Sequence, residues 1–280
     1  MTEKKILILG SSGSVGKSLL DKISKKKVTF QALNSKKLDL LSKLSVNNFF
    51  KKQKNKFDIL IIISAITPDK GKTLKELKKN IEMIINISSY LNDFKNIIYI
   101  SSDAVYNTKD YLVNDKTLPN PDSNHGIMHL CREKIIELNT QKSNLTILRP
   151  TLLFGKFDTH FGYGPNRFLK QAKTKKNIVL FGQGKDKRDH LPLDTLSKII
   201  YEVIDKNLVG TYNVATGHSY SFKKIAKLIA NKYKNCKLEF IKNDGKYTIR
   251  KFNNLRIYKL LNVKNKFNIK KEINKFVHRK

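Results

Sequence analysis

The sequence predicts an α/β fold in which a parallel sheet is covered by helices on both faces, and its length permits either one large domain or a domain plus a lobe. Two observations support this prediction. In the first half of the chain, short apolar runs alternate with segments whose apolar residues recur every three or four positions, as buried strands and one-sided helices require. The chain has 280 residues, of which 40% are hydrophobic, so it is long enough to bury such a core.

Each of these segments corresponds to a predicted element. The predicted strands of the first half are 6–9, 28–33, 59–64, 97–101 and 145–149, and the predicted helices are 15–23, 74–91 and 127–139. From residue 157 onward, glycine, proline and aromatic residues are frequent, which is typical of loops that close over a ligand. A predicted strand over 211–214 and a predicted helix over 221–232 follow, so this segment is expected to return to the core.

A glycine-rich turn, GSSGSVG, joins the first predicted strand to the first predicted helix. Glycines at this spacing let the backbone turn tightly and approach a pyrophosphate, whose charge then lies at the positive end of the helix. A plain strand-to-helix turn is the alternative, but the strand before and the helix after are the context that a dinucleotide site needs. The turn therefore predicts a nicotinamide dinucleotide cofactor. The predicted contacts are Gly10, Ser12, Gly13, Ser14, Val15 and Gly16.

The end of the second predicted strand bears on which dinucleotide is bound. Asn34, Ser35 and Lys36 follow this strand, where an acidic residue would bind the adenosine ribose hydroxyls of NAD. The three positions hold no acid, and Lys36 and Lys37 favour a 2′-phosphate. We therefore expect NADP rather than NAD, although Lys and Arg together make up 56 of the 280 residues and a nearby lysine is common in this chain.

The formal net charge of +33 and the pI near 10 raise the question of nucleic-acid or membrane binding. Lysine is spread over the whole length together with much Asn and Ile, as in a protein from an A/T-rich genome. A nucleic-acid site would instead concentrate its charge on one face, with interleaved aromatic residues. We expect no specific nucleic-acid partner.

The remaining bulk features favour a soluble cytoplasmic protein. The two cysteines, Cys131 and Cys236, lie far apart without metal-type spacing, so neither a disulfide framework nor a zinc site is indicated. The first apolar run has four residues, too few for a signal peptide. No apolar run approaches the roughly 18 residues that cross a bilayer, so no membrane contact is expected.

Four further segments, in this order, resemble the extended short-chain dehydrogenase/reductase family of nucleotide-sugar epimerases, dehydratases and 4-ketosugar reductases. SSDAVY at 101–106 resembles the family's Ser-Ser/Thr-x-x-Val-Tyr segment, in which the second hydroxyl residue hydrogen-bonds the reacting sugar oxygen. RPTLLFG at 149–155 is similar to its Arg-Pro-x-x-x-Tyr-Gly strand end. FGQG and RDH within 181–190 resemble the lobe segment whose arginine grips a diphosphate, and NVATG at 213–217 is similar to its final core strand.

The resemblance implies a Rossmann-like doubly wound parallel sheet with a smaller C-terminal substrate-binding lobe. Residues 1–156 would form the NAD(P)-binding domain and 157–280 mainly the lobe, with 211–232 returning to the core. Asn80 falls where the family has a helix Asn that braces the active-site strands. The further cofactor contacts that the resemblance implies are Asp39, Leu40, Ser64, Ala65, Ile66, Asn80, Ser101, Pro150 and Thr151. The implied contacts with a nucleotide-diphosphate sugar are Ser102, Asp103, Asn166, Phe181 and Arg188.

The chain departs from the family at the catalytic centre. The family carries Tyr-x-x-x-Lys on the helix after the Ser-Ser strand, whereas this chain has His125 and His129 at the two positions. Between Ser102 and Arg149, no tyrosine is followed by a lysine four residues later. Histidine serves as acid and base near neutral pH, and two imidazolium ions one helical turn apart would repel each other. At most one of the two is therefore expected to be protonated near pH 7.

Four interpretations of the histidine pair stay open. The protein is an active oxidoreductase with His125 as proton donor, or a binding protein with little turnover. Histidines at i and i+4 also occur in metal sites, although a third ligand is needed, and we predict no metal. The fourth interpretation is two ordinary exposed histidines. Asp103 lies where some family dehydratases carry a catalytic acid, but Ala104 replaces the acidic neighbour, which disfavours a 4,6-dehydratase.

Together these features predict a nucleotide-sugar reductase or epimerase of carbohydrate biosynthesis, with Ser102, His125, His129 and Asp103 at the catalytic centre. The alternative is a regulatory protein that binds the cofactor or the sugar nucleotide after losing the dyad. The resemblance also implies a homodimer formed by the helices 74–91 and 127–139. Its apolar stripe would comprise Leu74, Leu77, Ile81 and Ile84.

Overall fold

The computed structural model describes residues 4–26, 28–162, 164–253 and 255–278. The strands in these ranges are β1 (Lys5–Leu9), β2 (Thr29–Leu33), β3 (Ile59–Ile62), β4 (Asn96–Ile100), β5 (Leu112–Val113), β6 (Asn144–Pro150), β7 (Leu152–Phe154), β8 (Asn177–Phe181), β9 (Lys187–Pro192), β10 (Gly210–Val214), β11 (Ser219–Ser221), β12 (Lys237–Ile241) and β13 (Lys251–Phe252). The α-helices are α1 (Ser14–Ile23), α2 (Lys43–Gln53), α3 (Leu74–Ser88), α4 (Asn124–Leu138), α5 (Gly164–Lys175), α6 (Leu193–Lys206), α7 (Phe222–Ala230), α8 (Leu255–Leu260) and α9 (Ile269–His278).

Six parallel strands form the central sheet, in the order β10-β6-β4-β3-β1-β2. Helices cover both faces, and strands buried on both sides are apolar at successive positions, as the fully buried β3 is. The chain moves to opposite sides of β1 to form β2 and β3, so the carboxyl ends of β1 and β3 border a crevice where ligands bind in such sheets. The predicted Rossmann-like fold class is confirmed.

Each face of the sheet has its own core. On one face α2, α3 and α4 cover the sheet through residues such as Phe50, Ile84 and Ile136. On the other face α1 and α6 lie side by side, with Leu19 and Ile200 fully buried between helices and sheet. This sandwich fixes the carboxyl ends of the strands, where the loops that matter for function emerge.

The C-terminal lobe has a separate, smaller core formed by α5, β8, α7 and α9. Phe168, Ile178, Ile225 and Ile273 are buried in it. β8 pairs with β12, and β9 lies between β7 and β11 in a three-stranded sheet. Because β7 follows directly after the core strand β6, this small sheet connects the lobe to the domain that carries the glycine turn.

Within 157–280, the elements that pack on the core differ from those predicted. β10 joins the central sheet, but α7, which was expected to return with it, packs in the lobe core through Ile225 and Ile229. α6, which the sequence analysis did not assign, instead packs on α1 and the sheet. The reason is that the apolar residues of α6 all lie on one face of the helix and cover the sheet edge beside α1.

Several predicted boundaries also shift. β3 ends at Ile62, two residues early, because the chain turns there into the loop that lies under the crevice. α3 ends at Ser88 rather than Leu91, and α4 begins at Asn124, three residues early, since Ser123 caps it by accepting a hydrogen bond from the Gly126 amide. The region after 157 is more ordered than predicted and contains α5 and α6; Tyr163, within that predicted loop, lies outside the described residues.

Candidate active site

A cleft of about 440 Å³ opens in the crevice at the carboxyl ends of the central strands. Its walls come from the segments that follow β1, β2, β3, β4 and β6, together with the start of α4 and the loop at 158–160. The residues predicted from sequence that line it are Gly10, Ser12, Gly13, Ser14, Val15, Asn34, Ser35, Asp39, Leu40, Ser64, Ala65, Ile66, Ser101, Ser102, Asp103, His125, His129, Pro150 and Thr151.

The structure requires glycine at two of the three glycine positions of the turn, for different reasons, and does not require it at the third. Gly10 has a φ of +97°, and a Cβ there would lie 2.5 Å from the Ser64 amide nitrogen. A Cβ on Gly16 would lie 2.4 Å from the Gly10 carbonyl oxygen, so this glycine allows α1 to pack against the turn and does not line the cleft. A Cβ on Gly13 would meet only that same oxygen, at an ordinary 3.6 Å. The protein itself does not require glycine at position 13.

Gly13 is also the N-cap of α1, and it has no side chain that could cap the helix. No side chain of the N-cap residue therefore occupies the N–H groups of the first helical turn, and the helix dipole adds partial positive charge there. Gly13 is exposed and lines the cleft, so a ligand can approach the backbone closely there. This bare, positive cradle fits the pyrophosphate of a dinucleotide.

The segment after β2 forms the end of the cleft where the sequence predicts the adenosine ribose. The Asn34 Oδ1 atom accepts hydrogen bonds from the Lys36 and Lys37 amides at 3.1 and 3.2 Å, which holds the two lysines on the surface. Lys36 is exposed and does not line the cleft, whereas Ser35 and Asp39 do. The segment therefore offers amide, hydroxyl and carboxylate groups to a ribose, with ammonium groups beside them.

Asn80 lies behind the cleft wall and not in it. Its Oδ1 accepts from the Ile66 amide at 2.8 Å, and its Nδ2 donates to the Ile66 carbonyl at 3.0 Å. Asn80 is 2% exposed. This two-way bond fixes the loop after β3 at the place where it passes under the crevice.

The start of α4 lies against the segment after β4 because of Gly126. A Cβ at this position would lie 2.0 Å from the Ala104 carbonyl oxygen, so only glycine permits this approach. The close packing brings His125 and His129 into the same part of the cleft as Ser102. The two imidazole rings meet edge to face, with centroids 4.6 Å apart.

Both histidines are neutral near pH 7. Burial, together with Arg132 and His160, lowers the pKa of His125 to about 4. Burial also holds the pKa of His129 well below its usual value, with His125 and Arg132 acting in the same direction. His129 is only 5% exposed, so the interpretation as two exposed histidines is wrong. Among the described residues, no group of three His, Cys, Asp or Glu side chains could hold a metal ion.

His129 has a partner that sequence reasoning missed. The Tyr99 Oη atom on β4 lies 2.7 Å from His129 Nδ1. Arg132, one turn further along α4, is fully buried, donates to the Ser64 carbonyl oxygen at 2.6 Å and lies over the Tyr99 ring. A tyrosine inside an otherwise aliphatic buried strand is the sequence signal, because a buried phenol needs a polar partner.

A buried polar network supports the same part of the cleft from below. Glu133, on α4, accepts two hydrogen bonds from Arg149 at 3.0 and 2.6 Å and one from the Ser101 hydroxyl. Arg149 also donates to the Tyr106 hydroxyl at 2.9 Å, which in turn donates to Asn213. Glu133 is 0% exposed, so a carboxylate on the inner face of a predicted helix was the available signal.

Asp103 pairs with an arginine that the sequence did not single out. Arg250 is buried, and its Nη1 atom lies 3.5 Å from the Asp103 carboxylate. Burial raises the pKa of Asp103, and the charges of Arg250 and Arg188 oppose that shift. Asp103 lines the cleft, whereas Arg250 and the predicted substrate contact Arg188 do not. The Arg188 guanidinium donates to the carbonyl and hydroxyl of Thr248.

Two other predicted substrate contacts lie outside the main cleft. Asn166 is buried and clamps the loop after β7, since its side chain bonds both the amide and the carbonyl of Gly155 at 3.2 and 2.9 Å. Phe181 is exposed, with the Arg167 guanidinium 4.8 Å from its ring centroid. Both residues belong to the lobe, and Phe181 lines a second hollow of about 100 Å³ there.

The comparisons with known proteins agree with this geometry. The NAD dependent epimerase/dehydratase family matches residues 6–215. The chain is 25% identical to GDP-L-colitose synthase of Yersinia pseudotuberculosis over 250 residues, 81% of each chain. It is 25% identical to GDP-6-deoxy-D-talose 4-dehydrogenase of Aggregatibacter actinomycetemcomitans over 232 residues, 80% of this chain and 79% of that one.

In structure the chain is similar to ADP-L-glycero-D-manno-heptose-6-epimerase of Helicobacter pylori, with a TM-score of 0.87 and 18% identity over 99% of this chain and 97% of that one. At this identity the likeness concerns the fold. No helix in the described ranges is long and apolar enough to cross a membrane. From the family match over three quarters of its length and the glycine cradle, the chain belongs to the NAD dependent epimerase/dehydratase family and uses a nicotinamide dinucleotide as cofactor.

Proposed function

We propose that the protein is an NAD(P)-dependent oxidoreductase or epimerase that acts on a nucleotide-diphosphate sugar, by 4-keto reduction or epimerisation. One observation carries the proposal: Ser102 and the neutral His125 line one cleft together with the bare amide cradle at Gly13. A hydroxyl and an imidazole beside a dinucleotide site are the groups that manage the proton of a sugar oxygen during redox chemistry.

The cofactor would be held mainly by backbone. The amides at the start of α1 would bind the pyrophosphate, and Asn34, Ser35 and Asp39 would contact the adenosine ribose. When bound, the nicotinamide would supply hydride transfer to or from a sugar carbon. Lys36 and Lys37 support NADP over NAD, since both are exposed in the segment after β2 and an ammonium group there would attract a 2′-phosphate.

Ser102 would orient the reacting oxygen. Its Oγ atom already accepts a hydrogen bond from the Ala104 amide at 3.1 Å. The hydroxyl proton is therefore directed away from that amide, and it can donate to a carbonyl or hydroxyl oxygen in the cleft. This gives the sugar oxygen a fixed donor that carries no charge.

His125 would move the proton. A neutral imidazole has an unprotonated ring nitrogen, which can take the proton of a sugar hydroxyl while that carbon is oxidised. The resulting imidazolium can return the proton to the oxygen when the carbon is reduced. In an epimerase both half-reactions would occur in one visit of the substrate, so the proton balance closes on His125. In a net 4-keto reduction the hydride would come from the reduced nicotinamide, and the new hydroxyl would take its proton from water by way of His125.

The sugar nucleotide would bind on the lobe side of the cleft. Arg188 is half-buried and its charge acts on the Asp103 carboxylate, so a diphosphate between cleft and lobe would meet its guanidinium, which suits phosphate oxygens. Phe181 and Arg167 would flank the base in the lobe hollow. The names of the two curated relatives, a GDP-L-colitose synthase and a GDP-6-deoxy-D-talose 4-dehydrogenase, support a GDP-linked sugar.

The test is a turnover assay with purified 4-keto sugars linked to GDP, dTDP or UDP, following the absorbance of the reduced nicotinamide. We expect H125F to lower kcat by about 10²- to 10⁴-fold, since a general acid–base contributes that much, and to leave the Kd of the cofactor unchanged. The matched control is H218F, because His218 is exposed and does not line the cleft.

Two results would count against the proposal. If the wild-type protein binds the cofactor but turns over none of the sugars in either direction, the protein is a binding or regulatory one. If H125F keeps full turnover, the protein is an enzyme in which His125 has no part in the proton transfer.

We also propose a homodimer formed by α3 and α4. The stripe expected from sequence is only partly on the surface, because Ile84 faces the core whereas Leu74 is 71% exposed. Leu74 and Ile85 on α3 are exposed eleven residues apart, as are Ile127 and Leu138 on α4. Eleven residues are close to three helical turns, so each pair lies on one face. Light scattering measures the molar mass of the protein in solution and so tests the proposed dimer.

A further inference from the structure

We infer that Tyr99 is a positioning residue whose buried hydroxyl fixes the His129 imidazole in the tautomer that carries its proton on Nε2. The fixed ring then presents a neutral N–H donor to the cleft. The tautomer follows from contacts within the protein alone. The role of the donor, a hydrogen bond to the nicotinamide ribose, rests on the proposed function.

The contacts of Tyr99 determine the direction of its hydrogen bond with His129. Tyr99 is 1% exposed, and its Oη atom lies 2.7 Å from His129 Nδ1. Burial raises the pKa of Tyr99 far above neutral, so the phenol keeps its proton. Among the described residues, the hydrogen-bond partner of the Tyr99 hydroxyl is His129 Nδ1. A proton on Nδ1 would leave the phenolic proton buried without an acceptor, which is costly.

The charge of the His129 ring follows from this direction. A neutral imidazole has one N–H, so when Nδ1 accepts from Tyr99 the proton must be on Nε2. An imidazolium would carry protons on both nitrogens and could not accept at all. Burial, His125 and Arg132 all hold the pKa of His129 well below its usual value, and the neutral form is the one present near pH 7.

The positive charge in this part of the site is carried by Arg132. Arg132 is 0% exposed and donates to the Ser64 carbonyl at 2.6 Å and to the Asn80 Oδ1 atom at 3.4 Å. Within the described part of the chain its contacts are neutral: these two oxygens, the Met128 sulfur and the Tyr99 ring. The cation of this site is therefore one turn away from position 129, and it opposes protonation of both histidines.

These contacts divide two tasks between two side chains. In the family pattern that the chain resembles, one lysine at position 129 would supply both the donor and the charge. Here His129 would supply the donor and Arg132 the charge, and Tyr99 would keep the donor pointing at the cleft, which His129 lines. The histidine pair would then replace the function of the dyad. Random substitution after loss of the dyad would not be expected to produce these supporting contacts.

The direct test is NMR on histidine labelled with ¹⁵N. Long-range ¹H–¹⁵N spectra distinguish a protonated from an unprotonated ring nitrogen, and H129Q assigns the signals. We expect His129 to show an unprotonated Nδ1 and a protonated Nε2 near neutral pH. A protonated Nδ1, or an imidazolium, would overturn the inference. This readout needs neither cofactor nor turnover, so it stays valid if the proposed function fails.

The second test asks whether the tautomer matters for the cofactor. Loss of the Tyr99 hydroxyl in Y99F should give a mixture of His129 tautomers in the same spectra and weaken cofactor binding about fivefold, the effect of one ordinary hydrogen bond. Y90F is the matched control, because the Tyr90 hydroxyl also has a side-chain partner, Asn47 at 2.9 Å, but Asn47, unlike His129, does not line the cleft.

A double variant separates this role from a merely structural one. In the H129Q background, Y99F should cause no further loss of cofactor affinity, since the ring that it positions is gone. An equal loss of affinity from Y99F with and without His129 would show that Tyr99 acts through the fold, and so would an unchanged His129 tautomer in Y99F. If no dinucleotide binds at all, the proposed function fails while the tautomer assignment stands.

Discussion

The two ends of the cleft are built in different ways. The end at the glycine turn is made of backbone: a Cβ on Gly10 or Gly16 would lie 2.5 or 2.4 Å from neighbouring backbone atoms, and Gly13 leaves the helix amides bare. The end at the histidines is made of buried side chains: His129 lines it, and the buried Tyr99 and Glu133 contact His129 and Ser101. The first end depends on a few consecutive residues, whereas the second depends on residues from several elements.

This comparison predicts that the end at the histidines is the more sensitive of the two to a single substitution. Glu133 and Arg149 form an ion pair at 2.6 Å in which neither side chain is more than 9% exposed. Replacing one partner leaves the other charge buried alone, so E133Q should lower the free energy of unfolding by about 3–5 kcal/mol. Urea denaturation measures the change.

The control for E133Q is a salt bridge on the surface. E137Q breaks the exposed pair with Lys134 on the same helix and should change stability by less than about 1 kcal/mol. Equal effects of the two variants would contradict the account of a buried network under Ser101.

Buried neutral histidines should make the folded protein sensitive to acid. Burial lowers the pKa of His190 from 6.5 to about 4, and this side chain is 0% exposed. Below pH 6.5 the unfolded chain takes up a proton that the folded one does not. Stability is therefore lost as the pH falls from 6.5 to 4, by about 3 kcal/mol for this residue.

H190N keeps a donor near the Arg188 carbonyl, to which His190 Nδ1 bonds at 2.9 Å, but it does not titrate. Its free energy of unfolding should depend less steeply on pH between 6.5 and 4, by about one bound proton. The same slope in the wild type and H190N would show that His190 is not held neutral. The glycine turn contains no histidine and adds nothing to this slope.

The smallest predicted effect separates the glycines of the turn. G13A should change stability by less than about 0.5 kcal/mol, because its Cβ has ordinary contacts, yet weaken cofactor binding about tenfold by occupying the space in front of the amides. G16A should lower stability by about 1–3 kcal/mol, as overpacking does. Calorimetric titration and urea denaturation measure the two effects. Similar stability losses in both variants would contradict the distinction.

Much of the fold was predictable because its signals are local. The five strands of the first half and three of the helices follow from short apolar runs, and the glycine turn needs only seven consecutive residues. α6 was missed although its apolar residues lie on one face, since the glycine- and proline-rich segments before it favoured loops. α7 was assigned to the core because periodicity shows that a helix has an apolar face but not what covers it.

The candidate site was predictable to the same extent. Ser102, His125 and the glycine turn stand out in the sequence, and they line one cleft. Tyr99 and Arg250 do not stand out, since their partners, His129 and Asp103, are 30 and 147 residues away. Contacts of this kind appear only when β4, α4 and the segment after β12 are brought together.

The proposed function rests on the claim that the bare amides at Gly13 cradle a dinucleotide whose nicotinamide lies beside Ser102 and His125. Calorimetric titration of the wild-type protein with oxidised and reduced NADP and NAD measures this binding. We expect saturable binding of one dinucleotide per chain, tighter for NADP than for NAD. Absence of heat with all four dinucleotides, from protein that is folded by circular dichroism, would contradict the claim.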